Sequence, residues 1–123
     1  MAKVLLVADA SWVANEVKAA LSVGDWDIDE LSDPVQATGV AQETRPDALI
    51  VDMQVGSMGG MAVIRGIRGE MDPTERPRMV LLLDRSVDEF LAKRAGADAF
   101  VNKPITASEL RKALEGASTD EEE

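Results

Sequence analysis

Asp9, Asp52, Asp84 and Lys103 each stand at or near the end of a short apolar run: VLLVAD (4–9), ALIVD (48–52), MVLLLD (79–84) and AFVNKP (99–104). Three carboxylates and one ammonium gathered in one place could hold a divalent cation or a phosphate. A carboxylate there could also attack a phosphoryl donor once a cation neutralises the incoming charge. Runs rich in Val, Ile and Leu without polar alternation suit parallel strands covered on both faces. Ligands of such sheets bind beyond the carboxyl ends of the strands, so the four residues would meet at one edge.

The composition removes several other chemistries. The 123 residues include no cysteine and no histidine, which leaves no thiolate site, no thiol nucleophile and no histidine-based triad or zinc centre. The net charge of −10 argues against direct contact with nucleic acid or an anionic membrane and favours basic partners. Asp9-Ala10-Ser11-Trp12 is not a glycine-rich phosphate loop. An aspartyl phosphohydrolase would need a second carboxylate two residues after Asp52, where Gln54 stands. The first apolar run is too short for a signal peptide, and no stretch reaches the length of a membrane span; a cytoplasmic protein is expected.

Between the runs lie segments with helical spacing. Ser11 is placed to cap a helix carrying Val13, Val17 and Leu21. Asp33 followed by Pro34 reads as a cap and first helical residue, and that helix is stopped by Pro46. Met61, Ile64 and Ile67 line a third helix. Ser86 is placed to cap a fourth with Val87, Leu91 and Ala95 on one side, closed by Gly96. Thr106 caps a fifth with Leu110, Ala113 and Leu114. The run WDIDEL (26–31) alternates as an edge strand does. Five βα units with short connections predict a doubly wound α/β fold, a five-stranded parallel sheet in the flavodoxin-like order 2-1-3-4-5. One domain over residues 1–117 is expected, with residues 118–123 an acidic disordered tail.

Asp52 at the end of the third strand, Lys103-Pro104 after the fifth, Gly60 opening the third helix and Phe100 three residues before the lysine together resemble a receiver domain of a two-component response regulator. The resemblance covers nearly the whole chain. It implies that Asp52 is the phosphoacceptor, that magnesium is held by Asp9, Asp52 and the backbone carbonyl of Gln54, and that Lys103 contacts phosphate. Two carboxylates and a carbonyl suffice for magnesium, which retains several waters. The resemblance also marks Phe100 as a switch aromatic and Pro104 as a candidate for a cis peptide bond.

The family pattern is broken in places. Ala8 replaces one of two acidic residues, so magnesium affinity should fall rather than vanish. Asp84 stands where the family has a hydroxyl, and an ionised carboxylate cannot donate a hydrogen bond. Several placements for Asp84 are open: a metal ligand, a partner of Lys103, or a helix cap, with Ser86 supplying the hydroxyl instead. Arg85 could contact phosphate or gate the acceptor. Gly56 and Gly59 replace a proline and an acidic residue, which implies a looser turn.

By resemblance, the chain is a signalling domain rather than an enzyme. It would take phosphate from a sensor histidine kinase or a histidine phosphotransfer protein and act on a downstream protein through its fourth helix, fifth strand and fifth helix, with a homodimer possible. The alternative is a pseudo-receiver, an interaction or dimerisation module with no phosphorylation cycle, motivated by Ala8, Asp84 and Arg85.

Overall fold

The computed structural model describes residues 2–115; the acidic segment at 118–123 lies outside the described residues. The elements follow in strict alternation: β1 Ala2–Val7, α1 Ser11–Ala20, β2 Trp26–Leu31, α2 Ala37–Thr44, β3 Ala48–Asp52, α3 Gly60–Glu70, β4 Arg78–Leu83, α4 Glu89–Ala95, β5 Ala99–Asn102 and α5 Ala107–Ala113. Short 3-10 turns at Pro34–Gln36 and Ser86–Asp88 lead into α2 and α4. All strand pairs are parallel and the order is β2-β1-β3-β4-β5, the doubly wound topology that the sequence predicts.

The uninterrupted apolar runs follow from a sheet with two covered faces. Leu6, Ile50, Val80, Leu82 and Val101 meet Val13 and Val17 of α1 and Leu110 of α5 on one side. Leu5, Val7, Leu49, Val51, Leu81 and Leu83 meet α2, Val63, Ile64 and Ile67 of α3, and Ala92 of α4 on the other. Each such side chain, fully buried, contributes roughly 1.5–3 kcal/mol. Every residue of β3 is buried, whereas β2 at the edge exposes Asp27, Asp29 and Glu30.

The helix starts depart from expectation at two serines. Ala10 is the cap residue of α1 with no side-chain hydrogen bond, and Ser11 is already helical. Arg85 takes the cap position before Ser86, which opens the 3-10 turn. Asp33 and Thr106 do cap as expected, Asp33 accepting from the Val35 N–H and Thr106 from the Glu109 N–H. The predicted inner face of α4 holds only at Ala95. Val87 and Leu91 are exposed, and Asp88 and Ala92 are buried instead. Asp88, Ala92 and Ala95 stand at i, i+4 and i+7, an equally good helical face, and the expectation chose the neighbouring stripe because Val87 and Leu91 are the larger apolar groups. On α3, Met61 is only half-buried, and Val63, Ile64 and Ile67 carry the packing.

Candidate functional site

Strand register brings the four predicted residues to one edge. Val7 of β1 lies opposite Val51 of β3, so Asp9 and Asp52 leave neighbouring strands at the same end. Leu83 of β4 lies opposite Asn102 of β5, and Asp84 and Lys103 are the next residue on each. The backbone ladder continues one bond further, from the Lys103 N–H to the Leu83 carbonyl at 2.8 Å.

Asp52 is 1% exposed. Its Oδ1 accepts from Lys103 Nζ at 2.6 Å and from the Gln54 N–H at 3.2 Å. Its Oδ2 carries no hydrogen bond among the described residues. One oxygen is thus pinned and polarised while the other is left with its lone pairs uncommitted. Lys103 is buried against the Trp12 indole, whose ring centre is 5.3 Å from Nζ, a distance at which a cation and a π face attract.

Asp84 is resolved among its open placements as a partner of Lys103. Its Oδ1 accepts from Nζ at 2.9 Å and its Oδ2 from Gln54 Nε2 at 2.7 Å. With both oxygens engaged it is neither a cap nor a metal ligand in this arrangement. Burial works to raise the Asp84 carboxyl, but the hydrogen bonds from Lys103 and Gln54 outweigh it and hold the group below its ordinary value. Burial likewise works to lower the Lys103 ammonium, and its bonds to Asp52 and Asp84 outweigh that and raise it. Asp84 and Lys103 therefore stay charged across the physiological range.

Arg85 is committed elsewhere: its Nε lies 3.4 Å from Oδ2 of the buried Asp88. Ser86 is exposed. Phe100 is half-buried on the α4 side of the sheet, with Lys93 Nζ 5.8 Å from its ring centre. The Lys103–Pro104 peptide bond is cis.

Asp9 is exposed, and its Oδ2 accepts from the Gly56 N–H at 2.9 Å. The turn after β3 is therefore tied rather than loose. Gly56 and Gly59 both hold positive φ, 55° and 81°, a conformation glycine adopts at little cost. A proline at 56 could not supply the N–H that holds Asp9. Gly60 is required for space, since a Cβ there would lie 2.6 Å from the Asp52 carbonyl oxygen and 2.8 Å from Leu81 Cδ1.

A divalent cation fits the oxygens on offer. Asp9 Oδ1, Asp52 Oδ2 and the Gln54 carbonyl carry no hydrogen bond among the described residues. They are hard ligands of the kind magnesium takes, with water completing its shell. No group of three or more acidic, cysteine or histidine side chains placed to hold a metal occurs among the described residues, in keeping with Ala8 and with Asp84 being turned to Lys103.

Three contacts were not anticipated from the sequence: the Gln54 amide on Asp84, the Gly56 N–H on Asp9, and the Trp12 indole over Lys103. Gln54 was marked only for its carbonyl. The position of a glycine where a proline is usual was the available sign of the second contact.

Residues 4–115 match the family model for the response regulator receiver domain. The response regulator MprA of Mycobacterium tuberculosis is 33% identical over 109 residues, which are 88% of this chain and 46% of that protein. The transcriptional regulatory protein TrcR of the same organism is 30% identical over 114 residues, 93% of this chain and 44% of that protein. The chain thus spans about half the length of these relatives. Among solved structures, the chemotaxis protein CheY4 of Vibrio cholerae superposes with a TM-score of 0.80 at 25% identity, covering 96% of this chain and 99% of that one. The receiver domain of the sensor histidine kinase PA1611 of Pseudomonas aeruginosa, with a magnesium ion coordinated in its active-site cleft, has a TM-score of 0.80 at 24% identity over 94% of this chain and 95% of that one.

Proposed function

This chain belongs to the response regulator receiver domain family, and from that premise we propose that it accepts a phosphoryl group on Asp52 and signals the change by protein contact. Receiver domains are signalling domains that interact with histidine kinases. The observation that carries the reading is the state of Asp52: buried, with Oδ1 held by Lys103 and Oδ2 unbonded.

In this reading Asp52 Oδ2 attacks phosphorus in line with the departing donor group, a phosphohistidine nitrogen of a sensor kinase or phosphotransfer protein. The bond to that nitrogen breaks as the acyl phosphate forms. Lys103 Nζ, already directed at Asp52, neutralises charge on a phosphoryl oxygen as a point charge. Magnesium held by Asp9, Asp52 and the Gln54 carbonyl would supply the remaining charge neutralisation. Asp84 must yield its share of the Lys103 ammonium as the phosphoryl group arrives. The added charge of about −1.5 to −2 then bears on β4, β5 and α4. Exposed Val87, Phe90 and Leu91 beside α4 offer the apolar surface for a downstream protein or a second copy.

A cytoplasmic location belongs to the same proposal; among the described residues no helix is long and apolar enough to cross a membrane. Transfer from a phosphohistidine donor followed by peptide mapping is expected to place one phosphoryl group on the peptide containing Asp52. Label on a different residue contradicts this.

One observation favours the second reading, a pseudo-receiver. Asp84 satisfies both of its oxygens on Lys103 and Gln54, forming a closed network that needs no phosphate. The readings separate on partner affinity: Asp52→Asn leaves it unchanged in a pseudo-receiver and abolishes its response to phosphodonor in a receiver.

A further inference from the structure

Lys103 ends in an ammonium, which has three N–H donors. Two of them are spent on carboxylates, Asp52 Oδ1 at 2.6 Å and Asp84 Oδ1 at 2.9 Å. The third finds no oxygen among the described residues. What else stands beside Nζ is the Trp12 indole, its ring centre 5.3 Å away. The Lys103 side chain is only 8% exposed, so this contact is made largely out of water, where a cation and a π face attract most strongly. Trp12 is free for the task. It belongs to neither set of apolar side chains that cover the sheet, and no hydrogen bond engages its indole among the described residues. Its backbone is nevertheless fixed: it is the second residue of α1, and Val13 and Val17 anchor that helix to the sheet.

We propose that Trp12 is a positioning residue for transfer to Asp52, its π face keeping the Lys103 ammonium on Asp52 when Asp84 gives up its share. This role presupposes Asp52 as the acceptor. Asp84 lies at the rim, its side chain 34% exposed, whereas Asp52 is buried. A lysine stem is flexible, and an ammonium released by Asp84 has solvent on that side to move into. Leaving would forfeit the indole face, so the ring biases Nζ towards Asp52 at the step where one of its two carboxylate partners is lost. The chemistry of the ring suits this place. A further carboxylate there would also hold the ammonium, but it would add a charge to those of Asp9, Asp52 and Asp84 and repel the phosphoryl group. An indole attracts the cation through its quadrupole and carries no net charge.

The test reads the ammonium first and the transfer second. In an Asp84→Ala background, where residue 84 can hold nothing, the Lys103 Nζ–H signal is followed by nitrogen NMR. It is expected to persist there, and to persist when Trp12→Phe is added, which keeps a π face. Adding Trp12→Leu, which keeps apolar bulk alone, should lose the signal to exchange with water. With Asp84 intact, magnesium and a saturating small phosphodonor, Trp12→Leu should gain the phosphoryl group about threefold to tenfold more slowly than wild type, the loss expected for one cation–π contact. Trp12→Phe should recover most of that rate. A Lys103 signal that survives Trp12→Leu, or equal rates for the phenylalanine and leucine variants, would overturn the role of the π face while leaving Asp52 as the acceptor. A wild type that takes up no phosphoryl group, with the Lys103 signals behaving as expected, would overturn the reading of Asp52 and the role of Trp12 in transfer with it.

Discussion

With both oxygens bonded, Asp84 competes with any incoming phosphoryl group for the Lys103 ammonium. Two unit charges about 4 Å apart at an effective dielectric of about 20 repel by up to ~4 kcal/mol, and Lys103 screens part of that. If a third of it survives, Asp84→Asn should phosphorylate about tenfold faster, since ~1.4 kcal/mol is one decade in rate. The initial rate with a small phosphodonor checks this, and a slower variant would mean that Asp84 assists the transfer. The same network sets a pH dependence. Asp84 titrates below its ordinary 3.8, so the stability it contributes is present above that value and is lost as pH falls through its folded-state pKa. Lys103 titrates above 10.5, so its contribution holds below that value and is lost as pH rises past its folded-state pKa. The stability difference between wild type and Asp84→Asn should therefore be full above pH 3.8 and shrink only as pH falls from there through the lowered folded-state pKa, as read by circular dichroism. Asp9, Asp52, Asp84 and Lys103 were legible because each closes or follows an apolar run. Their partners were not, because the Gln54 amide and the Trp12 indole reach across elements in directions that spacing along the chain does not encode.

Elements decide how closely these side chains approach. The first residue of α3 lies against the end of β3, and Gly60 leaves room for neither a methyl group nor a shift of the Asp52 carbonyl. Gly60→Ala should cost about 1–3 kcal/mol by overpacking, visible as a lower thermal midpoint, and should disturb Asp52 through its own backbone. An unaltered midpoint would show that α3 can slide. The start of α4 was the element misread from sequence. Val87, Leu91 and Ala95 fit an α-helical stripe, but Asp88, Ala92 and Ala95 form the adjoining i, i+4, i+7 face, and that is the one buried. Short alanines at 92 and 95 bring the helix close to the sheet and leave the larger apolar groups outside. Val87→Ser is expected to change stability by no more than about 0.5 kcal/mol, whereas Ala92→Asp, burying an unpaired charge, should prevent folding at ordinary temperature.

At the scale of the whole molecule, the fold was legible to the order of its strands. Four non-alternating apolar runs require a sheet with two covered faces, and the acidic alternation of residues 26–31 requires an edge. Right-handed crossovers then leave few topologies. Function was legible only as far as the family, because Ala8, Asp84 and Gly56 alter the site without altering the sheet. Magnesium should bind weakly, since two carboxylates replace the usual three, and Trp12 beside Lys103 should report it as a fluorescence change absent in Asp9→Asn. The central claim, that Asp52 accepts phosphate, is tested most directly by the intact mass of the protein incubated with magnesium and a saturating small phosphodonor. Wild type is predicted to gain the mass of one phosphoryl group and Asp52→Asn none; a wild type that stays unmodified, or an Asp52→Asn that gains the same mass, would contradict it.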